Sequence, residues 1–322
     1  MRTVQITRLD GPTALEVVDV PEPEGGRGTV LVDVHAAGVT FPEVLQSRGQ
    51  YQIKPDLPFV PGSEVSGTVR TAPEGSSLRA GQRVVAFPGL GGFAEVAAVP
   101  EAMVFPLPDR TSFLQGAALP MNYLTMHFGL TRRGQLREGE TVLVHGAAGG
   151  VGTAAVQLAA ALGARVIAVT STQDKAEVAR AAGAHETVLA DGFRDSVKEL
   201  TGGQGVDLVV DPVGGDRFTD SLRSLAREGR LLVIGFTAGE IPQVKVNRLL
   251  LNNISVVGVG WGAYWARQPG YLQEQWAELL PLLEAGRLEP VLGTTYALED
   301  ASQALLELDE RRAAGKVLLT TR

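Results

Sequence analysis

The sequence predicts an α/β chain, with a small β-barrel-like domain beside a doubly wound parallel sheet. Three observations carry that prediction. The stretch from Gly139 to Thr172 reads as strand, glycine turn, helix, strand. From there to about residue 262, apolar runs of strand length alternate with helical patterns, the signature of a parallel sheet with right-handed crossovers. Residues 1–120 instead carry short β-like runs broken by Gly and Pro.

Taken in order, the β-like runs of the first region are Ala14–Val20, Thr29–Ala36, Gly67–Thr71, Arg83–Ala86 and Phe93–Val99. Pro21, Pro23, Gly25 and Gly26 mark an exposed turn, and a helical pattern is visible only around Thr40–Arg48. Helical periodicity starts near Ser112, and Pro120 interrupts it, which predicts two helices or a kinked one. Thr141–His145 is the first strand of the parallel sheet. Thr153–Leu162 is an alanine-rich helix ended by Gly163, and Arg165–Val169 is the next strand. Helix at Gln173–Ala182, strand at Glu186–Leu189, helix at Phe193–Leu200 and strand at Val206–Asp211 follow, the last stopped by Pro212. Phe218–Leu225 reads as helix, Arg230–Gly235 as strand, Val246–Leu251 as a short helix and Ile254–Val259 as strand. The tail carries a helix at Pro269–Ala285 ended by Gly286 and an extended piece at Pro290–Tyr296. A helix from Leu298 to Arg312 and a closing strand at Lys316–Thr320 complete it. A strand after the last helices predicts that the tail returns to the first domain. That domain is then discontinuous, residues 1–121 and 263–322, with the dinucleotide domain, 122–262, inserted in it.

The totals narrow the function. The chain has 322 residues, 44% of them hydrophobic and 20% charged, enough for two ordinary cores. Its formal charge of −7 argues against a nucleic-acid or anionic-membrane surface. The start, MRTVQITRLDGPTALEV, has no apolar signal core, and no run is long enough to span a bilayer, so a cytoplasmic protein is expected. There is no cysteine, which excludes disulfides, Cys-ligated zinc and thiol nucleophiles. The histidines, His35, His127, His145 and His185, are scattered without an H-x-x-x-H pair and read as structural. No metal site is expected.

The chemistry concentrates in the glycine turn. Gly146, Gly149 and Gly152 fit a dinucleotide fingerprint: the first makes a tight turn, the next lets the backbone approach a pyrophosphate, and the last lets the helix pack close to the strand. The phosphates would sit on free N–H groups at the helix start. An NAD site carries Asp or Glu about 20 residues past the turn, at the end of the second strand, for the ribose 2′-hydroxyl. Here that region is Val169, Thr170, Ser171 and Thr172, with no acid until Asp174. Ser171 followed by Lys175 suits a 2′-phosphate, so NADPH is the expected cofactor. Ser171-Thr172-Gln173-Asp174 is equally a capping box, and Lys175 an ordinary helix lysine, and both roles can coincide.

With these residues in view, the chain resembles the zinc-independent, zeta-crystallin-like quinone oxidoreductase branch of the medium-chain dehydrogenase/reductase superfamily. The resemblance runs along nearly the whole chain. Gly139-Glu140, Leu143, AAGG with Val151-Gly152, and Gln157 are close to that branch's signature, which is broken at Ala160. AAGVTFPEVLQSRGQY (36–51), LPFVPGSEVSGTV (57–69), ALPMNYLTMHFGL (118–130), GVDLVVDPVGG (205–215) and GRLLVIGF (229–236) extend it. The fold it implies is a GroES-like β-barrel substrate domain plus a Rossmann NADP-binding domain. Where zinc-dependent relatives carry Gly-His-Glu, this chain has Gly62-Ser63-Glu64, so the resemblance implies loss of both zinc sites. Without a Lewis acid, alcohol oxidation is poorly supported. A quinone or enone accepts hydride directly.

The resemblance implies roles residue by residue. Ala148, Gly149, Gly150 and Val151 hold the pyrophosphate within a cofactor site that Gly146 and Gly152 complete, and Ser171 and Lys175 face the 2′-phosphate. Val213 and Gly214 lie near the adenosine half. Gly235, Phe236 and Thr237, with Gly260, Trp261 and Gly262, flank the nicotinamide, and Thr125 touches it. Tyr51 borders nicotinamide and acceptor, or is a half-buried loop aromatic. Tyr51 and Thr40 are the candidate hydrogen-bond donors to a developing oxyanion, although the family often has Asn in place of Thr40. Leu189-Ala190 stands where the family often has a tyrosine for the adenine. Lys316 is a candidate to reach the cofactor, or an exposed lysine ahead of a final strand. The implied activity is NADPH-dependent quinone reduction, by hydride or single-electron transfer, in a homodimer paired through Ile254–Gly262. The alternatives are an enoyl-thioester or alkenal reductase and, in another class, a non-catalytic NADPH-binding sensor or structural protein.

Overall fold

A computed structural model describes residues 1–268 and 270–321. By contact, the chain divides into two compact units, Met1–Met121 with Gly270–Arg322, and Asn122–Pro269. In chain order the elements begin with β1 (Arg2–Ile6), β2 (Leu15–Asp19), β3 (Thr29–Gly38), α1 (Phe41–Ser47) and β4 (Glu64–Thr71). Next come β5 (Arg83–Ala86), β6 (Val96–Pro100), β7 (Val104–Pro106), α2 (Phe113–Ala117) and α3 (Pro120–His127), the last continued by a wider helical turn at Phe128–Arg133. The alternating region holds β8 (Thr141–Val144), α4 (Gly150–Ala161), β9 (Arg165–Thr170), α5 (Gln173–Ala181), β10 (Glu186–Leu189) and α6 (Phe193–Leu200). It continues through β11 (Val206–Asp211), α7 (Phe218–Arg223), β12 (Leu225–Val233), α8 (Asn247–Asn252), β13 (Ser255–Gly258) and α9 (Trp261–Trp265). The tail holds α10 (Tyr271–Glu284), β14 (Leu292–Ala297), α11 (Ala301–Asp309) and β15 (Lys316–Thr320).

In the second unit six strands form one sheet in the order β10-β9-β8-β11-β12-β13, every neighbouring pair parallel. The strands are near-continuous Val, Ile and Leu runs because helices cover both faces; Val142, Leu143, Val144, Leu208, Val209 and Val210 are all fully buried. The chain winds outward from β8 to β10, then returns to the centre and winds the other way from β11 to β13. The switch point therefore lies between β8 and β11, where an open parallel sheet leaves its crevice at the carboxyl ends of the strands. Helix α4 packs closely because its inner face is largely alanine: Ala154, Ala155 and Ala159 are fully buried.

The first unit is organised on β3, which pairs with β4, β6 and β15, all antiparallel. A seven-stranded sheet results, with β14 parallel to β15 at one end. Its core is built from valines of β3, β4 and β5, joined by Ala301, Ala304 and Leu305 of α11 and by Val317 and Leu319 of β15.

Several boundaries differ from the expectation, each for a local reason. Pro120 ends one helix and opens another, so two helices form rather than a kinked one. Strand β12 starts at Leu225, within the predicted helix, because Leu225 pairs with Val206 before a bulge. Strands β1 and β7 are too short and mixed to stand out as runs, and α9 lies in a stretch to which the sequence assigns no element. The predicted start of α10, Pro269, lies outside the described residues.

Candidate functional site

Each unit carries a group of the candidate residues. In the second unit the glycine turn follows β8. Gly146 has φ +57°, the left-handed conformation that a first-position glycine allows, and its carbonyl accepts the Gly149 N–H at 3.0 Å. The Ala147 amide bonds to the Val169 carbonyl at 3.2 Å, fastening the turn to the end of β9. Gly149 is the N-cap of α4, and no side chain caps that helix. The amides of Gly150, Val151 and Gly152 thus form a first turn with no intrahelical acceptors, the positive end of the dipole. A Cβ on Gly152 would lie 2.1 Å from the Gly146 carbonyl oxygen, so this position requires glycine. Gly149 is different: only that same oxygen lies near its absent side chain, at 3.5 Å.

Across the switch point, the Asp211 carboxylate, buried at the end of β11, accepts the amides of Val213 and Gly214, each at 2.9 Å. That fixes a tight turn in which Gly214 has φ +67°. The loop after β12 zips onto it: Thr237 N–H donates to the Pro212 carbonyl at 3.1 Å and Ala238 N–H to the Val213 carbonyl at 2.9 Å. A side chain on Gly214 would meet Phe236 at 2.9 Å. The structure thus brings Val213, Gly214, Gly235, Phe236 and Thr237 together. Gly146 borders them too, since its absent Cβ would lie 3.4 Å from Val213 Cγ2.

Ser171 is exposed at the end of β9, with Lys175 half-buried on the first turn of α5. The helix cap is not Ser171 but Thr172, whose hydroxyl accepts the Lys175 amide at 3.3 Å. The predicted box was one residue early, because Thr172 is the last extended residue before the helix. Ser171 is therefore not occupied in capping. Gly260 and Gly262 are exposed beyond β13, but Trp261 is buried and packs against Trp265 with ring centres 5.9 Å apart. Its indole is turned into the unit, and only its glycine neighbours are open. Thr125 is half-buried on α3, next to Tyr123, whose phenol donates to Gln157 on α4 at 2.6 Å.

In the first unit the candidates gather around a carboxylate that the sequence reading passed over. Glu43, buried in the first turn of α1, accepts the Thr40 amide at 2.7 Å and the Thr40 hydroxyl on one oxygen. On the other it accepts the Ser63 amide at 3.0 Å and the Ser63 hydroxyl at 2.7 Å. The Thr40-x-x-Glu43 spacing is a capping-box pattern and would have revealed Glu43. The Thr40 hydroxyl spends its proton on Glu43, so in this arrangement it offers lone pairs to anything else. Tyr51 is half-buried in the loop after α1. Burial, then the nearby Glu43 charge, hold its phenol above the usual range, so it stays protonated and can donate.

Beside this group lies Glu64, fully buried, which accepts the Met121 amide at 2.7 Å and the Lys316 ammonium. Burial raises its carboxyl against the pull of Lys316 and the amide, and Glu43 pushes the same way. Lys316 is therefore not an exposed lysine: only 3% of it is accessible, and its charge is committed to Glu64. It opens β15, between β14 and β3, where an unpaired ammonium could not be buried. Among the described residues, no group of three or more His, Cys, Asp or Glu could hold a metal ion.

Comparison with known proteins agrees with this layout. The profile of the family described as alcohol dehydrogenase GroES-like domain matches residues 26–109, and that described as zinc-binding dehydrogenase matches residues 150–285. The quinone oxidoreductase-like protein 2 of Bos taurus is 38% identical over 323 residues, covering 99% of this chain and 92% of its own. A probable oxidoreductase from Mycobacterium abscessus superposes with TM-score 0.92 at 43% identity, covering 100% of this chain and 99% of the other. The quinone oxidoreductase from Thermus thermophilus, solved also as its complex with NADPH, superposes with TM-score 0.87 at 38% identity over 100% of both chains. The all-parallel sheet with its glycine turn, the GroES-like unit, the cysteine-free sequence and these relatives lead to one placement: the chain belongs to the zinc-independent quinone oxidoreductase branch of the medium-chain dehydrogenase/reductase superfamily, a family of oxidoreductases.

Proposed function

We propose that this protein is an NADPH-dependent reductase of quinones that works without a metal. The single observation that carries the cofactor half of the reading is the uncapped start of α4, reached through a turn in which Gly152 admits no side chain. That cradle fits a pyrophosphate, and the relative from Thermus thermophilus was solved as a complex with NADPH. NADPH, when bound, supplies a hydride to an electrophilic carbon. In this reading the first-turn amides of α4 hold the pyrophosphate, and Ser171 with Lys175 binds the 2′-phosphate. Val213 and Gly214 lie near the adenosine half, the residues 235–237 flank the nicotinamide, and Thr125, Gly260 and Gly262 meet its end. Tyr51 is the donor to the oxygen that becomes anionic, since its phenol keeps its proton. Thr40, whose proton is held by Glu43, has the lesser part of shaping the site. The GroES-like unit, Met1–Met121 with Gly270–Arg322, is the substrate domain in this proposal.

The test is oxidation of NADPH followed at the reduced-nicotinamide absorbance band, with a benzoquinone, an orthoquinone, an alkenal and a crotonyl thioester as acceptors and NADH as the control donor. Fast turnover with the quinones and a strong preference for NADPH are expected. Turnover with the alkenal or thioester alone would move the protein to the enone reductases, and tight NADPH binding with no turnover would make it a sensor.

We also propose a homodimer. Strand β13 is an edge of its sheet, and α8 beside it exposes Leu250 and Leu251, each 75% accessible. An edge backbone next to apolar side chains invites a second copy. Light scattering at micromolar concentration is expected to give twice the chain mass, and a monomer would reject this arrangement.

A further inference from the structure

Arg217 stands three residues past Gly214, at the end of the short helical turn Gly215–Arg217 that leads from the β11 turn into α7. Its backbone is held in place. The Ser221 hydroxyl donates to its carbonyl at 3.0 Å, and Ser221 Oγ also lies 2.8 Å from Nε2 of His145, the residue before Gly146. The Arg217 side chain is half-buried rather than extended into solvent. Its charge is felt at the buried His145 ring. Burial, first of all, pushes that imidazole down to about 4; Asp211 pulls the other way, and Arg217 lowers it further. The guanidinium is therefore within electrostatic reach of the residue that opens the glycine turn.

A half-buried guanidinium gives up hydration and needs an anion in return. Arg165 and Arg230, half-buried in the same unit, each have one: Glu186 at 2.8 Å and Glu140 at 2.5 Å. Arg217 does not. Asp220, one helical turn on, is taken by Arg194 at 3.3 Å and Arg223 at 3.0 Å. Asp211 is turned onto the amides of Val213 and Gly214. Asp216 is exposed, and among the described residues no carboxylate pairs with Arg217. The cofactor reading leaves the complementary charge unmatched. A phosphate monoester carries about −1.5 to −2 at neutral pH. Against it, Ser171 offers a hydroxyl and Lys175 a single positive charge. Strand β8 lies between β9 and β11, so the turns that follow those two strands stand roughly 10 Å apart. An arginine side chain and a ribose phosphate together span that distance.

We infer that Arg217 is the second cation for the 2′-phosphate, reaching it from the β11 side of the adenosine half, and that it helps the site choose NADPH over NADH. This rests on the NADPH reading above. The pyrophosphate has its own partners in the first-turn amides of α4 and does not depend on Arg217.

The experiment titrates the full chain with NADPH and with NADH, which differ only in the 2′-phosphate, and follows the fluorescence of the bound nicotinamide. Arg217→Gln is expected to weaken NADPH roughly tenfold, the scale of one charge-assisted contact at a half-exposed site, and to change NADH by less than about twofold. Arg217→Lys keeps the charge and is expected to recover part of the loss, whereas Arg217→Glu is expected to bind NADPH more weakly than Arg217→Gln. The loss is expected to shrink as salt is raised. Since no protein carboxylate pairs with the guanidinium, the melting temperature of each variant without ligand is expected to match wild type. Unchanged NADPH affinity in Arg217→Gln and Arg217→Glu overturns the inference. So does an equal loss of NADPH and NADH, which would put the guanidinium on the adenine or the pyrophosphate. The cofactor reading is judged separately, on the wild-type protein: if that binds neither nucleotide, or NADPH no more tightly than NADH, the reading fails and the role of Arg217 with it.

Discussion

Gly152 and Tyr51 show what single residues decide in this protein. At Gly152 the carbonyl of Gly146 occupies the space of a Cβ, so Gly152→Ala must push α4 away from β8. The expected loss is about 1–3 kcal/mol of stability from overpacking, together with NADPH binding. Denaturant titration and a binding isotherm would check both, and unaltered binding would show that the turn is not the cradle. Gly149→Ala, where 3.5 Å is free, is the matched control and is expected to fold normally. Tyr51→Phe removes one donor from a site without a metal. It is expected to lower kcat by roughly tenfold to a hundredfold at unchanged NADPH affinity. Steady-state kinetics decide the matter, and a normal kcat would return Tyr51 to the status of a loop aromatic. The glycine spacing was legible at this scale because a φ of +57° and a carbonyl at contact distance leave few alternatives. Lys316 was not, since a lysine ahead of a strand reads the same whether its partner is water or Glu64.

At the scale of elements, the buried pair Lys316–Glu64 joins the first residue of β15 to the start of β4 and, through the Met121 amide, to the first turn of α3. Three segments far apart in sequence meet at one carboxylate. Lys316→Met would leave Glu64 buried without its cation, at an expected cost of about 3–5 kcal/mol. Lys316→Met with Glu64→Gln keeps an acceptor for the Met121 amide and is expected to recover part of that loss. Chemical denaturation of the single and double variants measures the coupling, and a single variant within about 1 kcal/mol of wild type would show the pair to be incidental. The strands of the parallel sheet were readable because burial on both faces makes them unbroken apolar runs. The short strands β1 and β7 were not, because five residues of mixed polarity in one and three ending in proline in the other carry no periodicity of their own, and pairing with neighbouring strands defines them. The cap of α5 was displaced by one residue because Ser171 and Thr172 are chemically equivalent as caps, and only the backbone path distinguishes them.

For the molecule as a whole, His145 makes a prediction about acid stability. Its folded pKa, about 4, lies below the unfolded value of about 6.5, so the unfolded chain binds the proton first. Stability is therefore complete above the unfolded value and falls as the pH drops from about 6.5 towards 4. Between about pH 7 and about pH 4.5 this group alone is expected to remove about 2 kcal/mol. Glu64, whose pKa is raised, works in the opposite sense, so the contribution is read as the difference between wild type and His145→Gln. Equal acid sensitivity in the two proteins would contradict it.

Some of this was settled by the chain alone. Periodicity and the glycine triplet determine an α/β protein with a dinucleotide turn, because strand, turn and helix are consecutive and their chemistry is local. The absence of cysteine determines that no thiolate takes part. Tertiary structure decided the rest. It alone brought Ser63 onto Glu43, Lys316 onto Glu64, and Ser221 onto His145. Each is a buried polar group whose partner lies on another turn or another strand. The low-dielectric core demands that such groups be paired, and folding selects the partner.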